Sequence, residues 1–213
     1  MKKLIFIILL LIPTIINAQK IAVLHYNGGG DWYSNPTALP NLAAYCNANL
    51  KTTINTKIAE VTPDSSDIFD YPFIHATGHG NILFNDQELE NLRTYLLSGG
   101  FLHIDDNYGM KKFAKREIER LFPDKKLETI GTDHPIFKNK YSFPKGLPKI
   151  HEHDGKAPVA EGIFNEGRLI LLLTTEADLG DGWESAEVHN DPQEVREKAL
   201  QMGANIINYV FLN

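Results

Sequence analysis

Phe73-Ile74-His75-Ala76-Thr77 runs into Gly78-His79-Gly80, and Phe101-Leu102-His103-Ile104 runs into Asp105-Asp106. Between them lies the best-marked helix signal of the chain. Asn85 stands as N-cap with Glu88 three residues on to complete a capping box, and Phe84 is placed to staple against Leu89. Leu89, Leu92 and Leu96 give the helix its inner face, and Gly99-Gly100 stops it. Strand, helix and strand in succession make the two strands parallel neighbours, since a crossover of this length is what parallel pairing requires.

The same alternation extends outward in both directions. Ile21 to Tyr26 reads as a buried first strand ending in the Gly-rich loop Asn27 to Asp31. Leu42, Ala43, Cys46 and Leu50 share one face of a helix beginning near Pro40, which makes Cys46 a packing residue, and Thr53 to Val61 is a weaker second strand. Beyond Asp106, a helix from about Met110 to Phe122 buries Ala114, Ile118, Leu121 and Phe122 and is closed by Pro123. Asp133 to Lys156, rich in Pro, Gly, Lys and His, reads as a long surface excursion. Val159 to Phe164 and Arg168 to Leu173 flank Asn165-Glu166-Gly167 as an antiparallel hairpin. A last helix has Asp191 as N-cap, Pro192 at its first position and Glu194 closing a capping box, with Val195, Ala199, Met202 and Ile206 facing the sheet. The expected fold is therefore α/β, three-layered, with a mainly parallel flavodoxin-like sheet, helices on both faces and a late antiparallel hairpin. No internal repeat or low-complexity linker divides it, and one domain over 19–213 is expected.

Residues 1–18 read differently. Lys2 and Lys3, the apolar run Leu4 to Ile12 and the small residue Ala18 form the pattern of a secretory signal peptide cleaved after Ala18. The run is shorter than the roughly 20 apolar residues of a membrane span. Export to the periplasm or the exterior, with no membrane span left after cleavage, is the expectation. The chain carries 21 basic against 27 acidic residues, a net charge of −6, which argues against nucleic acid as a partner. Cys46 is the single cysteine, so no intramolecular disulfide can form.

In parallel sheets of this kind ligands sit outside the carboxyl ends of the strands. The segments leaving those ends are Asn27 to Trp32, Gly78 to Asn81, Asp105 to Gly109 and Thr174 to Trp183. They carry Gly29-Gly30-Asp31-Trp32-Tyr33, Thr77-Gly78-His79-Gly80, Ser98-Gly99-Gly100-Phe101 with Asp105-Asp106, Asp133-His134-Pro135-Ile136-Phe137, and Asp178-Leu179-Gly180 with Gly182-Trp183-Glu184. As a set these resemble domain-of-unknown-function family 4159, exported bacterial proteins grouped with the class I glutamine amidotransferase-like superfamily. The Asp-His-Pro-Ile stretch is also similar to one in the trehalose-utilisation branch, a pointer to carbohydrate. The resemblance implies a single amidotransferase-like domain after the signal peptide, and it implies where that superfamily's nucleophile would stand. Asp105 or Asp106 occupies the cysteine's turn, and Thr174-Thr175-Glu176 replaces the superfamily's His-Pro-Glu, leaving only the glutamate. Cysteine-dependent glutaminase activity is accordingly expected to be absent, because Cys46 sits far from any elbow.

Among the chemistry-bearing residues, Gly28-Gly29-Gly30 fails the dinucleotide pattern, with Tyr33 where a third glycine is required, and no nucleotide cofactor is expected. Asp105 and Asp106 could ligate a metal, share a proton or accept bonds from sugar hydroxyls, or one could cap the following helix while the other is solvated. His79, between two glycines, is a candidate acid, base or ligand. His75 and His103 fall on facing strand positions and read as core histidines bonded to one another. His151 and His153 would share one side of a strand and could bind one zinc, yet they lie in a Lys- and Pro-rich loop, where a solvated run is expected. A divalent metal stays open as a cofactor.

The expected pocket gathers Asp31, His79, Asp105, Asp106, Asn107 and Glu176, with Trp32 and Trp183 as apolar walls. A small polar ligand, carbohydrate among the options, suits it. The alternatives are a hydrolase in which His79, Asp105, Asp106 and Glu176 do the chemistry, with or without metal, and a structural partner in an envelope complex.

Overall fold

The computed structural model describes residues 19–212, so the expected signal peptide over 1–18 lies outside the described residues. Seven strands form one sheet: β1 Ile21–Leu24, β2 Ala59–Val61, β3 Phe73–Gly78, β4 Phe101–Asp106, β5 Glu128–Thr129, β6 Val159–Asn165 and β7 Arg168–Thr175. Their spatial order is β2-β1-β3-β4-β7-β6-β5. From β2 through β7 neighbouring strands are parallel, and β6 and β5 close the sheet as antiparallel strands. The hairpin turns at Glu166 and Gly167, both in the left-handed conformation that tight hairpins use.

Helices α1 Ala38–Asn49 and α6 Gln193–Leu212 cover one face, together with the short helix α4 Leu179–Trp183, around a core that includes Leu42, Cys46, Phe73, Phe101, Leu172, Trp183, Met202 and Ile206. Helices α2 Asp86–Leu97 and α3 Lys111–Leu121 cover the other, where Leu92, Leu96, Ala114 and Ile118 meet Ile74, Leu102, Ile104 and Leu173. Alternation along each strand does the sorting: Phe73, Phe101 and their i+2 neighbours belong to the first face, Ile74 and Leu102 to the second. The capping box of α2 is present with both reciprocal bonds.

Several local expectations are corrected. The first strand stops at Leu24, and of the second only Ala59–Val61 pairs with β1, with Ile54 left as an isolated bridge to Gln19. The 133–156 excursion is not confined to the surface, because Ile136, Phe137, Phe143 and Leu147 are buried against α6. Asp191, expected to cap α6, instead turns its carboxylate to His151. The short helices α4 and α5, Ala186–His189, follow β7 where the sequence reading assigns no element. No helix among the described residues is long and apolar enough to cross a membrane.

Candidate functional site

Because β1, β3, β4 and β7 run parallel, their carboxyl ends open on one rim, and the candidate residues carried by those ends line up along it. At the β1 and β3 end, the Asp31 carboxylate accepts the backbone N–H of His79 and, at 2.9 Å, faces its ring Nδ1. Burial pushes the Asp31 carboxyl up, but the backbone and ring bonds from His79 outweigh it and hold the group below its ordinary range. An Nδ1–H given to Asp31 leaves His79 Nε2 as the free nitrogen of a side chain that is 55 % exposed. Gly78 is required beneath this pair: its φ is +137°, and a Cβ there would come within 2.8 Å of Asp31 Oδ1. Trp32 stacks on His25 at 3.9 Å and, with Tyr33, Asn35, Leu39 and Glu60, lines a cleft of about 310 Å³.

At the β4 and β7 end a polar column descends into the core. Asp105, fully buried, accepts the Thr174 hydroxyl at 2.5 Å and the Gly180 N–H at 2.6 Å. Thr174 Oγ1 lies 2.8 Å from His103 Nε2, and His103 Nδ1 lies 3.1 Å from His75 Nδ1. Burial pushes the Asp105 carboxyl up to about 7, against the two bonds it accepts and with help from Asp178 and Asp181. Burial pushes His75 down to about 3 and His103 well below its ordinary value, with His75 adding to the latter. With a hydroxyl proton on Thr174 pointing to an ionised Asp105, the column reads His75 Nδ1–H to His103 Nδ1 and His103 Nε2–H to Thr174. His75 Nε2 is then a bare acceptor, and it is buried without a partner.

Past β7 the backbone turns left-handed at Glu176 and Asp178. Asp178 is fully buried; its Oδ2 takes His153 Nε2 at 2.5 Å and its Oδ1 has no partner. Asp181 Oδ1 accepts from Asn35 Nδ2 at 2.6 Å and Asn107 Nδ2 at 3.0 Å, while its Oδ2 lies 3.0 Å from His151 Nδ1. Asn107 is fixed in turn by Thr77 Oγ1 at 3.0 Å and donates to Asn35 Oδ1 at 2.7 Å. His151, Asp181 and His189 are the described residues that could hold a metal ion, each offering one ligand atom within 4.8 Å of the others.

The family model Domain of unknown function (DUF4159) matches residues 20–211. The chain belongs to that family. None of the curated proteins compared matches this DUF4159 chain.

The DUF4159 chain brings together only part of the expected pocket. Asp31, Trp32 and His79 share the β1 and β3 end. Asp105 and Asn107 share the β4 and β7 end, with Thr77 and Asn35 bridging the two groups. Asp105 and Asp106 do not act as a pair, because successive strand residues face opposite sides of the sheet. Asp106 accepts Met110 N–H at 2.6 Å and Tyr108 N–H at 3.1 Å in the turn that leads into α3, whose N-cap is Met110 and carries no side-chain cap bond, so the expected capping role is not filled, and Asp105 is buried rather than solvated. Trp183 is no pocket wall: it is fully buried, packed on His75 and His103, with its Nε1–H given to Ala199 O at 2.8 Å. Glu176 is nearly buried, beside Asp154, and its Oε2 has no partner.

The run after His151 is exposed, as expected of a solvated loop, but its two histidines are engaged. The segment lies outside any strand, so the two rings part, with centroids 6.5 Å apart. His153 stacks on Tyr108 and bonds Asp178, and His151 faces Asp181 and Asp191. Sequence reading missed Asp178, Asp181, His189 and Asn35 in the DUF4159 site. The one signal available was density: Asp178, Asp181, Glu184, His189 and Asp191 fall within a single short stretch after a strand end. Cys46 lies at the core of α1, and burial pushes its thiol up to about 12.

Proposed function

We propose that this DUF4159 chain is an exported, non-glutaminase module of the cell envelope that binds a small polar, hydroxyl-bearing ligand, with carbohydrate as the fitting class, along the strand-end rim. The observation that carries the reading is the cleft that offers an indole, a phenol, an amide and a carboxylate from Trp32, Tyr33, Asn35 and Glu60, its Trp32 following directly on the Asp31 that holds His79. Flat aromatic surface beside directed polar groups is how proteins hold polyhydroxylated ligands. The residue pattern of 1–18 supports export. The placement of Asp105 at the end of β4, where the resembling superfamily keeps its cysteine, supports the loss of glutaminase chemistry.

A hydrolytic reading narrows to the same pair. Asp105 is sealed behind Gly180 and Asp106 is committed to the turn before α3, so any base for activating water would be His79 oriented by Asp31. The structural-partner reading draws little support: the exposed large apolar residues Tyr33, Phe69, Leu83, Leu97, Tyr108 and Val188 come from six separate segments.

The chain has two tryptophans, and Trp183 is buried, so ligand-induced fluorescence change reports Trp32. A panel of neutral sugars and sugar acids should contain a member that changes this fluorescence saturably and raises the melting temperature. At a hundredfold excess over Kd the stabilisation is about 2.7 kcal/mol. Both effects should vanish in His79→Ala and Asp31→Asn. Silence across the panel at millimolar concentration, or binding that survives both substitutions, would overturn the reading.

A further inference from the structure

His151 is clamped between carboxylates at both ring nitrogens. Asp191 meets Nε2 with both oxygens, at 3.1 and 3.2 Å, and so takes the Nε2–H. Nδ1 faces Asp181 Oδ2 at 3.0 Å and Asp178 Oδ2 at 3.6 Å. Carboxylates on both sides of the ring call for positive charge at Nδ1, which a second ring proton or a bound cation supplies. No lysine or arginine supplies it: among the described residues, the ion-pair partners of Asp178, Asp181, Glu184 and Asp191 are all histidines. The third nitrogen converging here is His189 Nε2, on α5, 3.8 Å from Asp181 Oδ1 and 3.7 Å from Glu184 Oε2.

These positions suit a metal. Ligand atoms bonded to a tetrahedral zinc stand about 3.3 Å apart; His151 Nδ1 and Asp181 Oδ2 are 3.0 Å apart, and one ligand atom from each of His151, Asp181 and His189 lies within 4.8 Å of the others, a small closure of His189 away. The surrounding bonds are those that orient metal ligands. Asp191 fixes the His151 tautomer, and Asn35 and Asn107 occupy Asp181 Oδ1, turning its other oxygen toward the imidazole. An independent observation points the same way: Asp178 Oδ1, on a fully buried side chain whose other oxygen borders the cluster, has no hydrogen-bond partner.

We propose that His151 Nδ1, Asp181 and His189 Nε2 form a binding site for a borderline divalent transition metal, with Asp178 as the adjacent fourth carboxylate. Two imidazoles and a carboxylate select zinc, cobalt or iron over calcium and magnesium, which take oxygen ligands. Three protein ligands match the open sites of catalytic rather than structural zinc. The proposal does not rest on the polar-ligand reading, since neither Asp31 nor His79 is among the ligands.

The test uses the purified protein stripped with chelator and titrated with Zn²⁺ in competition with a chromophoric chelator, and with Co²⁺ followed by its visible d–d absorption. The site requires one equivalent of Zn²⁺ bound and a Co²⁺ spectrum of low coordination number. His189→Ala, a surface substitution that leaves the metal-free melting temperature in place, and Asp181→Asn should each weaken binding by more than about tenfold. Asp191→Asn should weaken it by about 10- to 100-fold, and His134→Ala, whose ring packs on Phe164 and Tyr209, should leave it unchanged. No stoichiometric Zn²⁺ binding by the native protein, affinity unaltered in His189→Ala, loss that follows His134→Ala instead, or equal affinity for Mg²⁺ would each overturn the assignment.

Discussion

Asp105 has no route to water: both oxygens are taken, by Thr174 and Gly180, and burial pushes its carboxyl from 3.8 to about 7. Its contribution to stability is full below its ordinary value and is lost as pH rises through about 7. His75 and His103 work the other way. Burial depresses both, so their contribution is full above the ordinary 6.5 and is lost as pH falls below it. Between roughly pH 4 and 6 the unfolded chain therefore holds more protons on the histidines and the native chain one more on Asp105, so the two effects oppose one another. Asp105→Asn removes the opposing effect, and stability should fall on acidification more steeply than in the native protein, by about 1.4 kcal/mol more per pH unit. Urea unfolding across that range, native against variant, checks it; equal slopes would show that Asp105 titrates ordinarily. That His75 and His103 would meet was legible from sequence, because strand alternation and parallel register alone bring them together. The burial of Asp105 was not, because the groups that enclose it, Thr174 and Gly180, lie about seventy residues away in the chain.

At the scale of elements, the turn that leads from β4 into α3 is held by the carboxylate at the end of the strand. Asp106 satisfies the N–H groups of Tyr108 and Met110 from a nearly buried position. Asp106→Ala should cost about 1–3 kcal/mol, the usual cost of leaving buried backbone N–H groups without a partner. Ligand and metal affinities should stay put, and calorimetry beside the two binding assays separates the roles. A loss of binding would return Asp106 to the site. Elements written locally were readable in advance: the capping box of α2 uses residues three apart, and the hairpin uses its own turn. The region after β7 was not, because α4 carries two glycines in five residues and is held by contacts with α1 and α6 rather than by its own propensity. For the same reason His151 read as part of a solvated loop, its partners Asp181 and Asp191 being thirty and forty residues away.

Across the whole molecule, Asn205 on α6 ties the 133–156 excursion to the body. It gives its amide N–H groups to Ile136 O at 2.9 Å and Tyr141 O at 2.8 Å and accepts Tyr141 N–H at 2.8 Å. Asn205→Leu keeps the volume but strands those backbone groups, and should destabilise by about 2–4 kcal/mol. The Tyr141 amide should then exchange faster with deuterium, while a protected amide after the substitution would show that apolar packing alone seats the segment. The rim position of the candidate residues followed from the strand and helix alternation, whereas the division of that rim into two groups did not, since it depends on which side chains the bridging asparagines engage. The sheet itself tapers at both margins, to three residues at β2 and two at β5. An incoming strand would find only a few free backbone amides and carbonyls on either side, too few to nucleate pairing, so lateral growth into fibrous aggregates is blocked at both ends.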